Sequence, residues 1–262
     1  MLFRSTVSSP RTVLYFGPRS PEEVVSLLKE SFIGMKPNNQ PTSVKPDRSI
    51  NPSANQVFFL HKEMAQAQVR LEFSSGLLDE SITPSVQIFN EYFGGGMAGL
   101  VFQELREARA LAYSAWARFF TPTRQNEENV LVGSIGCQAD KTLDAVHAFL
   151  SLLKDMPLST NRWSSAQTSL LSTYRTNPIA SRAIPGFVYD VDALGLKMDP
   201  RESRYQKLEE ANMKEFENFY SEKIQSRPIL FSIVGDSTKI DQSELEKLGT
   251  LTRVEAKDLF RR

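Results

Sequence analysis

The chain has 262 residues, enough for one large core or two small ones. Its 31 basic residues balance 31 acidic ones, which argues against a dedicated nucleic-acid or anionic-membrane binder, because such proteins carry a basic excess or stripe. The single cysteine, Cys137, excludes an internal disulfide and a multi-thiolate metal site.

No apolar run nears the roughly 20 residues needed to span a bilayer. The opening "MLFRSTVSSPRTVLYF" lacks the apolar stretch of a signal peptide. The expectation is a soluble protein, either cytosolic or a piece cut from a longer chain.

Residues 12–16, "TVLYF", read as a short buried strand ending at Gly17-Pro18. A helix follows, with Ser20 as cap, Pro21 at its first position, Glu22 and Glu23 in its first turn, and Val24, Leu27, Leu28 and Phe32 at helical spacing. Residues 34–56 hold four prolines and few apolar residues, so they read as an extended linker. This divides the chain into a strand-helix tail (1–33), a linker (34–56) and a main domain (57–262).

In the main domain, 57–61 and 67–73 are strand-like. Residues 83–93 read as a helix capped by Thr83, with Val86, Phe89, Tyr92 and Phe93 on one face. After Gly94, Gly95 and Gly96 a second helix runs from about Ala98 to Ala110. Residues 111–120 and 129–139 suit a hairpin around "TPTRQNEE". Helices follow at 140–156 (capped by Asp140, with Leu143, Val146, Leu150 and Leu153 inward), 160–176, 186–196 and 209–225. A strand at 228–236 and a short helix near 242–248 complete the reading. "RTVLYFGP" and "RPILFSIVGD" share a strand-Gly-helix pattern with their glycines 218 residues apart, which suggests duplicated half-modules.

Four chemistries can be weighed on these residues. Gly94, Gly96 and Gly99 satisfy the spacing of a dinucleotide cradle, but a helix precedes them where that motif needs a strand, so a hinge between helices fits better. His61 and His147 stand 86 residues apart, and a catalytic zinc helix needs two histidines one turn apart, so this chain does not supply such a site; His147 reads as a rim residue. Cys137 lacks a neighbouring histidine and reads as a small apolar residue. Arg106 has no acidic partner three or four residues away on its helix, and Tyr113 follows early on the next strand. As a pair they are either donors to a carbonyl or carboxylate, or a solvent-facing arginine beside a core tyrosine.

The string "YFGGGMAGLVFQELREARALAYSA", residues 92–115, resembles the C-terminal, non-zinc half-domain of the pitrilysin/insulinase family of zinc metallopeptidases. That family has a glycine-rich turn leading into a helix of the form LFQELREKRGLAYS. "MAQAQVRLEF" (64–73) is similar to the strand before that helix, and "SIVGDSTKID" (232–241) to a late VGD turn. Residues 12–32 resemble the same turn and helix closing a preceding half-domain, which would explain the long repeat. Ala110 departs from the family's usual glycine.

The resemblance implies an α+β half-module (an α/β sandwich), with a mostly antiparallel sheet covered by helices on one face. It implies that two modules close like a clam shell around a peptide. Zinc would be held elsewhere, by an inverted HxxEH helix in the parent protein or a partner chain, with none in this chain. Arg106 and Tyr113 match the family's substrate-contacting pair, and Gly94, Gly95 and Gly96 would let the Arg106 helix approach its neighbour.

The implied function is the substrate-binding domain of a metalloendopeptidase, inactive as an isolated chain. The alternative is a non-catalytic scaffold related to processing-peptidase and respiratory-complex core proteins. The implied partners are a peptide and a zinc-bearing half-domain, in cis or in trans; a homodimer is also admitted, as is an extracytoplasmic location for the parent. Residues 11–33, separated from the module they resemble, are expected to dock on this domain's sheet or on a neighbouring molecule.

Overall fold

The computed structural model describes residues 12–32 and 52–259. Helix α1 spans Pro21–Ser31 and has a full capping box: the Glu23 N–H donates to Ser20 Oγ, and the Ser20 N–H donates to the Glu23 carboxylate. Residues 12–16 before it form no strand. Val13, Leu14 and Phe16 are at least half exposed, because an isolated apolar run has no ladder partner to bond its backbone. The segment does not dock on the sheet. Leu14 and Phe16 instead share a shallow pocket with residues 179–190. Residues 34–51, most of the expected linker, lie outside the described residues, as do residues 1–11 and 33 of the expected tail.

The domain is built on a six-stranded mixed sheet. Its strands are β1 (Gln56–His61), β2 (Gln66–Leu77), β3 (Ser114–Phe120), β4 (Glu128–Gln138), β5 (Leu230–Gly235) and β6 (Thr250–Val254). Their order is β3-β4-β2-β5-β1-β6, antiparallel from β3 to β5 and parallel across β5-β1-β6. The period-two alternation decides the faces. Ala67, Val69, Leu71 and Phe73 of β2, and Ala115, Ala117 and Phe119 of β3, point into the core. Trp116 and Phe120 point out, beside Arg70 and Arg118. Helices cover the first face and leave much of the second open.

Five helices make most of that cover: α2 (Thr83–Phe89, continuing as a π turn to Gly94), α4 (Thr142–Lys154), α5 (Thr160–Thr176), α7 (Arg201–Glu210) and α8 (Met213–Phe219, with a π turn to Ile224). Helix α3 (Leu100–Phe102, extended by a π turn over Gln103–Ala108) joins α2 to β3. Helix α6 (Ile184–Ala193) lies in the connection between α5 and α7, while α9 (Gln242–Leu248) and the short α10 (Ala256–Leu259) flank β6.

Aromatic packing joins helices to sheet. Phe89 stacks on Phe93 with ring centroids 5.0 Å apart, and Phe219 sits tilted against both Phe89 and Phe119. The Phe149 ring fills the space a side chain at Gly133 would need, so α4 lies close on β4. The buried hydroxyl of Tyr92 donates to the Pro157 carbonyl and accepts the Ser159 N–H, fixing the turn into α5. Outside the core, Arg204 and Glu80 pair at 2.8 Å and tie α7 to the turn before α2.

Several local expectations are corrected. Thr83 is the first helical residue of α2 rather than its cap, and Asp79 caps the 3₁₀ turn before it. Asp140 sits in a 3₁₀ turn, and α4 has no side-chain cap. The inward stripe of α4 is rotated: Phe149 and Leu152 join Val146 and Leu153 in the core, while Leu143 and Leu150 are half-buried. Helix α7 and strand β6 are additions to the sequence reading. The expected 209–225 helix starts at Met213, capped by Asn212. No helix among the described residues is long and apolar enough to cross a membrane.

Candidate functional site

The site lies where α3 turns into β3. Gly94 determines how close that turn comes to the sheet: a Cβ there would lie 1.8 Å from the Ala117 carbonyl oxygen, so any side chain would push the end of α2 off β3. Gly96 takes φ +57°, a left-handed conformation that reverses the chain before α3. The close approach is thus made by the helix before the glycines against the strand after α3.

Along α3, Val101 and Leu105 are fully buried and anchor one side. The opposite side carries Arg106, whose side chain is 48% exposed. Its guanidinium lies 4.8 Å from the centre of the Phe102 ring one turn earlier, a contact that holds the arginine along the helix without neutralising it. Glu107 approaches to only 3.7 Å, a loose exposed pair of little energetic weight.

The π ladder over Gln103–Ala108 widens the end of the helix, a geometry that recurs at functional sites. The Leu111 N–H closes it by donating to the Leu105 carbonyl at 2.9 Å, one residue further back than the usual Schellman closure. This requires Ala110 at φ +50°. An alanine there costs roughly 1–2 kcal/mol that glycine would avoid.

The Tyr113 N–H donates to the Gly136 carbonyl at 2.8 Å and starts the β3-β4 ladder. Its ring is 53% exposed, so Tyr113 is no core residue. Gln138 Nε2 donates to the Tyr113 hydroxyl oxygen at 3.0 Å, leaving the Tyr113 O–H to donate elsewhere.

Arg106 and Tyr113 line one cavity of about 230 Å³, together with Gln138, Lys141 and the turn residues 110–112. The structure therefore brings the two sequence candidates into one place and adds Gln138 and Lys141 to them. Gln138 comes from the end of β4 and was not legible in the sequence: with Ser114 opposite Gly136, the antiparallel register sets Cys137, not Gln138, across from Tyr113. Lys141 had no signal either, because it enters through the 3₁₀ turn before α4.

The other candidates lie apart from this cavity. Cys137 is fully buried, and burial pushes its thiol up, which keeps it a poor nucleophile. His61, at the end of β1, accepts the Ser237 N–H at 3.1 Å. His147 is exposed on α4. Among the described residues no three His, Cys, Asp or Glu side chains converge as metal ligands, so they do not fit the zinc site of a metallopeptidase.

Comparison with known proteins agrees with this architecture. The model of the family described as "Peptidase M16 inactive domain" matches residues 8–170. The fold is similar to the crystal structure of a peptidase M16 inactive domain from Pseudomonas fluorescens, at 14% identity and a TM-score of 0.63, covering 82% of this chain and 50% of that one. It is also similar to a conserved protein from Enterococcus faecalis (15% identity, TM-score 0.66, 85% of this chain and 51% of that one). A protease from Helicobacter pylori gives 14% identity and a TM-score of 0.64, over 83% of this chain and 53% of that one. The chain thus spans about half the length of these structures. No curated protein matches it. With nearly two thirds of its length matched by the family model and a fold shared across that match, the chain belongs to the peptidase M16 inactive-domain family, the C-terminal, non-zinc half of a pitrilysin/insulinase-type module.

Proposed function

We propose that this chain is the substrate-binding half-domain of a zinc metalloendopeptidase. It would act with a zinc-bearing half-domain, supplied by the same polypeptide or a partner, to enclose a peptide. The observation that carries this reading is the shared cavity of Arg106 and Tyr113, both half exposed and both presenting hydrogen-bond donors. Arg106 would hold a peptide carbonyl. The Tyr113 O–H would donate toward the oxygen that gains charge during attack on the scissile bond. Residues 57–262 form the half-domain, 34–56 the linker, and 1–33 the tail of a preceding half-domain against which the exposed face of α1 would pack. The flanking half-domain would also slow amide exchange in residues 12–32, relative to the chain alone.

The kinetic test uses the complete peptidase assembly. Arg106→Ala and Tyr113→Phe should each lower kcat/KM by about 10²-fold, the scale of losing one such donor, with bound zinc unchanged. Wild-type turnover in both variants would overturn the reading and favour a scaffold role.

A further inference from the structure

The polar lining of the Arg106 cavity has one chemical character. Arg106 and Lys141 contribute cations, Tyr113 a hydroxyl free to donate, and Gln138 an amide whose Nε2 carries a second hydrogen. No carboxylate lines it. The nearest counter-charges are loose and lie outside the lining: Glu107 stands 3.7 Å from Arg106, and Asp144 stands 3.6 Å from Lys141. Both distances exceed a hydrogen bond, and all four side chains are about half exposed. Neither cation is neutralised by a tight partner, and both residues line the same cavity of about 230 Å³, room for a small acid group.

A neutral peptide carbonyl would use Arg106 and Tyr113 and leave Lys141 idle. A carboxylate would use all three, because each of its oxygens accepts more than one hydrogen bond and its charge answers the excess cation. We infer that this cavity is an anion subsite that selects peptides presenting a carboxylate, with Lys141 as its specificity-determining residue. The inference rests on the substrate-binding reading and narrows its substrate class. The carboxylate can come from an acidic side chain or from a peptide C-terminus.

Both sources are separable with one peptide in four forms, carrying Glu or Gln at a fixed internal position and ending in a free acid or an amide. Binding to the 262-residue chain is followed by NMR titration at low and high salt. At low salt one carboxylate form should bind about 10-fold tighter than its amide counterpart, and the Glu/Gln and acid/amide comparisons show which source the subsite takes. The preference should shrink in high salt, because half-exposed charges are screened. Lys141→Gln should abolish the preference, and Lys141→Arg should retain it.

Equal affinity of the wild-type chain for all four peptides would overturn the inference, as would an undiminished preference in Lys141→Gln. In the complete assembly, turnover that depends on Arg106 and Tyr113 but shows no carboxylate preference defeats the anion subsite alone. A Lys141-dependent preference with wild-type turnover in Arg106→Ala and Tyr113→Phe defeats the peptidase reading alone.

Discussion

Residues 12–31 and 228–248 carry the same local pattern, an apolar run, a glycine and a helix, and they meet opposite fates. In the second stretch the run becomes β5, bonded to β2 on one side and β1 on the other, with Phe231 fully buried. Its helix α9 then turns Leu245 and Leu248 inward. In the first stretch the run makes no ladder, and α1 forms with a complete capping box while burying no residue. A helix closes its hydrogen bonds within itself, whereas a strand must borrow partners from neighbouring chain segments. The shared pattern therefore fixes where the chain turns, and the surroundings decide what is buried.

The largest expected effect comes from comparing one phenylalanine in each stretch. Phe231→Ala removes a fully buried ring between two ladders and should cost about 3–5 kcal/mol in urea unfolding. Phe16→Ala, at 58% exposure, should stay within about 0.5 kcal/mol. Equal costs would show that residues 12–16 are packed in solution. The two glycines extend the contrast at smaller scale. A Cβ at Gly235 would lie 2.6 Å from Ile240 Cδ1 and 3.1 Å from Ala67 Cβ, both core residues, so Gly235→Ala should destabilise by about 1–2 kcal/mol. At Gly17 the nearest obstacle is the exposed Tyr15 ring, which can swing aside, and Gly17→Ala should leave the unfolding midpoint unchanged.

The same physics explains what the sequence disclosed. Strands β1 to β5 were legible because alternation and β-branched or aromatic runs mark a half-buried pleat, as in Val69, Leu71 and Phe73. Strand β6, "TLTRV", was not: it is a short edge strand with no fully buried residue. Helix α7, "RESRYQKLEE", buries only Leu208 and so has no stripe to detect. The strand expected at 12–16 failed for the converse reason, since its composition was right and its neighbours were missing. At the site, Arg106 and Tyr113 stood out by sequence and by family resemblance. Lys141 depends on how the turn before α4 folds back, which no local pattern encodes. The strain at Ala110 was signalled only by its departure from the family glycine.

The smallest contrast lies in the two helix caps. Ser20 accepts the Glu23 N–H before α1, and Asp241 accepts the Ser243 N–H at 2.9 Å before α9. The local chemistry is nearly equivalent, so the consequences should differ only through packing. Asp241→Ala should lower Tm by a few degrees, because α9 is part of the cooperative core. Ser20→Ala should leave Tm unchanged and reduce only the helicity of residues 21–31, read from backbone chemical shifts.

Asp241 adds a pH signature. Its carboxyl is held below the usual carboxylate range by the Ser243 hydroxyl and then by the Ser243 N–H. With the folded pKa depressed, this contribution is fully present above the unfolded value of about 4 and is lost as pH falls through the folded one. Asp241→Asn keeps an acceptor oxygen that does not titrate, so its Tm deficit relative to wild type should narrow in acid. A deficit that stays constant from pH 6 to pH 3 would mean that the charge at Asp241 plays no part in holding α9 to the core.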